Sequence, residues 1–203
     1  MAVTTDTPVA RDGWLLIWLC IGLGALVAYW QPWAASPFIL LAVYLSWLFR
    51  DPARIVPSSP LALITPVDAV VEKIEQTTDP YRDTACIRIV LNMHRSGAYV
   101  VHSVTEGKIL QHWYARHAQH THAFWIQTDE KDDVIIELQP GRYLRRLNCR
   151  VAAGERVGQG QRCGFIPFGA KVVVYIPEGS RVQVKEGQAV TGATDILAML
   201  VRR

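Results

Sequence analysis

Two apolar runs with no charge in either set the first constraint on this chain. Trp14 to Trp30 reads WLLIWLCIGLGALVAYW, and Trp33 to Phe49 reads WAASPFILLAVYLSWLF, with Gln31-Pro32 between them. Each run is near the short limit for a spanning helix, about 17 residues at ~1.5 Å per residue. Trp14, Trp30, Trp33 and Trp47 mark the run ends, where amphipathic rings settle at the headgroup level. Two runs with a tight break predict a helical hairpin that crosses and returns, or dips in and out. Arg11 precedes the first run, and Arg50 and Arg54 follow the second. By the positive-inside rule both ends face the cytoplasm. A cleaved signal peptide fits poorly, because the start is acidic and threonine-rich and a second apolar run follows. A hairpin buried in a soluble core is the bland alternative, and the continuity of the runs speaks against it.

The expected organisation is an N-terminal tail over residues 1–12, a membrane hairpin over 13–50 and a soluble domain over 51–203. The predicted location is the inner, cytoplasmic membrane, with the soluble domain facing the cytoplasm. A net charge of +3 is too weak to argue for a nucleic-acid partner and is compatible with an anionic membrane surface. Cys20, Cys86, Cys149 and Cys163 form no C-x-x-C pair, so reduced thiols are expected rather than a zinc site or a disulfide framework.

After Pro60 the pattern changes to short β-type runs. Residues 69–74, 86–91, 97–104, 123–127 and 133–138 read as strands, and glycines at 141, 154, 158, 160, 179, 187 and 192 punctuate the remainder. No long helical period appears. The fold class expected is mainly β: a two-helix membrane hairpin followed by an all-β, sandwich or barrel-like domain. A V-x-x-G-x-x-V pattern at Val151–Val157 recurs at Val184–Val190, as in small β-sandwiches.

Four segments resemble the phosphatidylserine decarboxylase family, in order and over nearly the whole chain. Leu48-Phe49-Arg50-Asp51-Pro52-Ala53-Arg54-Ile55-Val56-Pro57 is similar to the family's juncture between anchor and catalytic domain. Thr65-Pro66-Val67-Asp68-Ala69-Val70-Val71 is similar to its Ser-Pro-Ala-Asp-Gly-x-Val strand. Gly164-Phe165-Ile166-Pro167-Phe168-Gly169-Ala170 through Pro177 resembles its self-cleavage segment, and Val184 to Thr194 its C-terminal end. The length is similar to the short, archaeal-type branch.

The resemblance implies the fold above and a self-processing enzyme. In that family a serine follows the glycine that matches Gly169. Its hydroxyl attacks the preceding carbonyl with help from an Asp–His pair, and the chain breaks to leave a pyruvoyl cap. The pyruvoyl carbonyl is the electron sink for decarboxylating phosphatidylserine to phosphatidylethanolamine. Carried over by position, Asp68 matches the aspartate and Ala170 stands at the serine. Counting back from Gly107 puts Tyr99 at the histidine, with His94 as the alternative base and His102 where the short branch has arginine. A phenol with a pKa near 10 is a poor base at neutral pH. An engineered trap would keep the histidine, so the paired changes at Ala170 and Tyr99 point to a natural non-processing homologue, a pseudoenzyme or permanent zymogen. Ser180 is read as part of a hairpin turn and not as a substitute nucleophile.

Two other features could carry chemistry. Arg145 and Arg146 resemble a family segment and read equally as a lipid-phosphate contact or as a solvated strand edge. His112, His117, His120 and His122 lie within eleven positions. His120 and His122 alternate as on one strand face and could share a metal, or could belong to a polar strand and loop. The functions in contention are therefore three. One is a decarboxylase-like protein of phospholipid metabolism that cannot form its cofactor. Another is a silent phospholipid-binding or regulatory homologue paired with an active enzyme. The third is a metal-dependent activity at the histidines. The expected partners are a phospholipid membrane, a phosphatidylserine-like lipid and a homo- or hetero-oligomer.

Overall fold

The computed structural model describes residues 2–3, 11–57, 59, 61–94, 98–114, 121–141, 148–149, 151–166 and 169–201. The chain divides into two compact units, one over Thr5–Ala53 and the other made of Met1–Thr4 and Arg54–Arg203.

The first unit is helical. Helix α1 (Arg11–Trp30) is followed by a 3-10 turn at Pro32–Ala35 and helix α2 (Ser36–Leu48). At ~1.5 Å per residue α1 spans about 30 Å, the thickness of a hydrocarbon core. Its Gly13–Trp30 stretch is long and apolar enough to cross a membrane by length and composition. The second arm is shorter than the sequence predicts. Pro32 lacks an amide hydrogen and opens the 3-10 turn, and Pro37 lies in the first turn of α2, where that donor is not needed. Only 13 residues remain in α2.

The two helices approach closely at glycines. A Cβ on Gly13 would overlap the Phe49 ring, and one on Gly24 would lie 3.0 Å from Phe38 Cβ. This pairing of early with late positions makes the helices antiparallel. Their outward faces stay apolar, with Leu15 76% and Trp30 82% exposed. A helix pair apolar all round needs an apolar surrounding.

The second unit is built of antiparallel strands. They are β1 (Ala2–Val3), β2 (Ile55–Val56), β3 (Ala62–Ile64), β4 (Ala69–Thr78), β5 (Ala85–Met93), β6 (Val100–His102), β7 (Gly107–Tyr114) and β8 (His122–Gln127). Then come β9 (Asp133–Pro140), β10 (Asn148–Cys149), β11 (Arg156–Val157), β12 (Arg162–Phe165), β13 (Ala170–Pro177), β14 (Arg181–Val182), β15 (Ala189–Val190) and β16 (Ile196–Met199). Eight of them form one sheet in the order β11-β7-β8-β9-β13-β5-β4-β15. Two three-stranded sheets, β10-β12-β6 and β14-β16-β3, and the β1-β2 pair complete the unit. The fold is mainly β.

Strand β13 lies inside the large sheet, paired with β9 and β5, and both of its faces are covered. Val172 and Val174 share a face with Leu91 and Ile89, all fully buried. Val173 and Tyr175 point the other way, into a cluster with Tyr81, Cys86, Val90, Ala123 and Ile135. That double burial explains the unbroken apolar run from Val172 to Ile176. Buried Glu137 on the second face accepts a hydrogen bond from Tyr175 Oη at 2.8 Å. Burial first, and then the Glu137 charge, push the Tyr81 and Tyr175 phenols upward. Burial also pushes the Cys86 thiol up to about 11.

Strand β7 has no counterpart in the sequence reading. A bulge between Ile109 and Gln111 breaks its two-residue alternation, so the period that marks a strand is absent.

Candidate functional site

Three of the four motif segments meet at the carboxylate of Asp68. Arg54, from the juncture segment, donates from Nη2 to Asp68 Oδ2 at 2.7 Å. Gly192, from the C-terminal segment, donates its amide to Oδ1 at 2.8 Å. Ala98 donates its amide to Oδ2 at 3.2 Å. Both partners of the ion pair are largely buried, with side chains 13% and 18% exposed. Hydrogen bonds to a charged acceptor in such a site are short and directional.

Gly192 approaches the Asp68 backbone this closely because it has no side chain. A Cβ there would stand 3.0 Å from the Val67 carbonyl carbon and 3.2 Å from the Asp68 nitrogen. The neighbouring turn is held by Thr191, whose amide donates to Asp195 Oδ2 at 2.6 Å, and by Ala193, whose amide donates to Thr65 O at 2.7 Å. Ala193 takes a left-handed φ of 58°.

The fourth segment reaches the same end of the sheet through β5. Asp68 immediately precedes β4, His94 immediately follows β5, and Ala170 opens β13. Ala69 pairs with Met93, and Lys171 pairs with Asn92. The His94 amide donates to Asp68 O at 3.0 Å. Gly169, with φ of 85°, lies against Met93: a Cβ on it would be 3.7 Å from Met93 Cβ. Ala170 is therefore two strand spacings from the start of β4, roughly 10 Å across the backbone. It is buried, and its side chain is a methyl group.

The sequence does not show where His102 lies. It is buried on β6, with its amide donating to Pro66 O at 2.8 Å, two residues before Asp68. Its Nδ1 has no hydrogen-bond partner among the described residues. Burial drives its pKa down to about 4; the Pro66 hydrogen bond opposes the shift, the Arg54 charge adds to it and the Asp68 charge opposes it. The imidazole is therefore neutral at pH 7 and carries a lone pair. Nothing in the sequence marks His102 as more buried than His94. His94 has an exposed side chain, and Tyr99 is buried with its ring edge-on to Phe165 at 6.3 Å.

Arg145, Arg146, His117 and His120 lie outside the described residues. Among the described residues no group of three or more His, Cys, Asp or Glu could hold a metal ion. His112 and His122 do approach each other, Nε2 to Nδ1 at 3.0 Å, and burial lowers the His112 pKa.

A phosphatidylserine decarboxylase family model matches residues 41–198. A phosphatidylserine decarboxylase proenzyme of Nitrosomonas europaea is 32% identical over 203 residues, covering 94% of each chain. One of Aromatoleum aromaticum is 32% identical over 206 residues, covering 95% of each. One of Neisseria gonorrhoeae is 33% identical over 204 residues, covering 95% of this chain and 79% of the relative. No solved structure matches.

Proposed function

This chain belongs to the phosphatidylserine decarboxylase family, and on that footing we propose that it is a non-processing member, which stays in one piece and does not decarboxylate phosphatidylserine. The observation that carries the reading is the methyl group of Ala170. It stands at the first residue of β13, directly after the left-handed Gly169. The pyruvoyl group of the family is made from a side chain with a nucleophilic oxygen, and a methyl group has neither a lone pair nor a leaving group. The residues present do not fit the group.

The rest of the processing apparatus is better kept than the nucleophile. Asp68 is held by Arg54, Ala98 and Gly192, which fixes its orientation. His102 is buried and neutral at pH 7, with an Nδ1 that has no partner among the described residues. Tyr99 is a weak base by its chemistry, and His94 faces outward. In this reading Asp68 is the remnant carboxylate and His102 the candidate imidazole, linked to the Asp68 segment through the Pro66 backbone and not by a side-chain hydrogen bond, and Tyr99 is a packing residue.

The helical unit anchors the chain in a phospholipid membrane, and the β unit faces the cytoplasm. Support comes from the apolar outer surface of α1 and α2 and from the arginines that flank them. An anchored, uncut scaffold with an ordered Asp68 cluster also suits a silent partner that binds a phosphatidylserine-like lipid or pairs with an active homologue. Carbon dioxide release tests the reading. The purified chain is expected to release none from phosphatidylserine vesicles, and release at a rate comparable to an active relative overturns it.

A further inference from the structure

We propose that His112 and His122 form a binding site for a divalent transition metal of the copper, nickel or zinc type. The proposal is independent of self-processing. His112 lies on β7 and His122 on β8, on diagonal positions of one sheet face, because His112 pairs with Phe124 and Tyr114 pairs with His122. Their ring nitrogens converge, His112 Nε2 on His122 Nδ1, at 3.0 Å. Two imidazole nitrogens each ~2.0–2.1 Å from a tetrahedral metal stand about 3.3 Å apart. To admit the ion in place of the shared proton the nitrogens must part by a few tenths of an ångström, and the rings, which meet head-on with centroids 5.3 Å apart, must tilt so that both lone pairs aim at it. Imidazole nitrogen is the preferred donor of these metals, with copper bound most tightly.

The rings are held in place before any metal arrives. His112 stacks on buried Phe124 at 4.4 Å between centroids, with the planes 14° apart. Tyr114 packs its ring against His122 at 4.8 Å. Restricted rings lose little freedom on coordination. Both histidines are only partly buried, so water can complete the coordination shell. The site also shares a sheet face with the candidate functional site. His122 pairs with Leu138, and Ala170 pairs with Pro140, two residues along the same strand. A metal there would clip β7 to β8 on the face that carries Ala170.

The experiment is metal titration of the full-length chain in detergent, free of any affinity tag, by calorimetry with copper, nickel and zinc salts. One ion per chain is expected for at least one of them. His112→Ala and His122→Ala should each weaken binding roughly tenfold or more. Because a substitution can perturb folding, the unaltered chain is also followed by histidine-ring NMR. Copper or nickel should broaden the resonances of His112 and His122 first. Absence of binding by the unaltered chain overturns the proposal. So does binding that survives both substitutions, or broadening confined to other histidines such as His117 and His120.

Discussion

Arg54 and Asp68 form an ion pair at 2.7 Å that ties the segment entering the β unit to the start of β4. The same carboxylate takes the Gly192 amide, from a turn 124 residues further along the chain. Asp68 is thus a structural hub as well as a candidate catalytic group. Its substitution should disturb both stability and any restored chemistry.

Removing Arg54 leaves a largely buried carboxylate with only two backbone donors. Arg54→Ala is expected to cost about 1–3 kcal/mol of stability. Gly192→Ala, which forces a methyl group against Val67, should cost a similar amount, about 1–3 kcal/mol. Combined, the two should fall short of additivity, because they act on one group. Denaturant unfolding of the single and double variants measures this, and strict additivity would separate the two contacts.

His102 predicts an acid-labile fold. Its folded pKa of about 4 is below the ordinary 6.5, so the unfolded chain binds the proton that the folded chain refuses. Stability is held above pH 6.5 and falls as the pH drops from there toward 4, by at most about 1.4 kcal/mol per pH unit. The lowered pKa of His112 acts in the same direction. His102→Gln should flatten the profile over that window. An unchanged profile would place the sensitivity elsewhere.

Ala170→Ser should restore slow cleavage after Gly169 if Asp68 is the remnant carboxylate and His102 the imidazole. Adding His102→Ala should slow that cleavage by about 10²–10⁴-fold, the usual worth of general-base help. Adding Tyr99→His to Ala170→Ser should speed it, since a second imidazole would then stand near the site. Time courses on a denaturing gel distinguish the three. Equal rates with and without His102 would assign the base to His94 or to another group.

The full-length chain is expected to remain with membranes through alkaline carbonate washing and to need detergent for release. Transfer of apolar surface at ~25 cal/mol per Å² makes the exposed faces of α1 and α2 costly in water. Gly13→Leu should loosen the hairpin by driving a side chain into Phe49. Free solubility of the unaltered chain would contradict the anchor.

Much of this arrangement was legible in the sequence, and the exceptions have physical causes. The motif segments carry Asp68, Gly169 and Ala170 as matching positions and include Arg54 without linking it to Asp68, and the short β-type runs of the sequence lie within β4, β5, β8 and β9. A backbone donor such as Ala98 has no sequence signature, because every residue but proline has an amide, and the C-terminal motif holds Gly192 without showing that its amide reaches Asp68. The bulge hid β7, and two prolines shortened α2 below the length of its apolar run. His102 looked like one histidine among six, since burial and a missing Nδ1 partner are properties of the fold.

Intact mass of the purified chain tests the central claim most directly. The account predicts a single polypeptide of 22.8 kDa with no carbonyl cap. Two polypeptides of 169 and 34 residues, from a cut after Gly169 in the 203-residue chain, with a reactive carbonyl at the start of the shorter one, would contradict it.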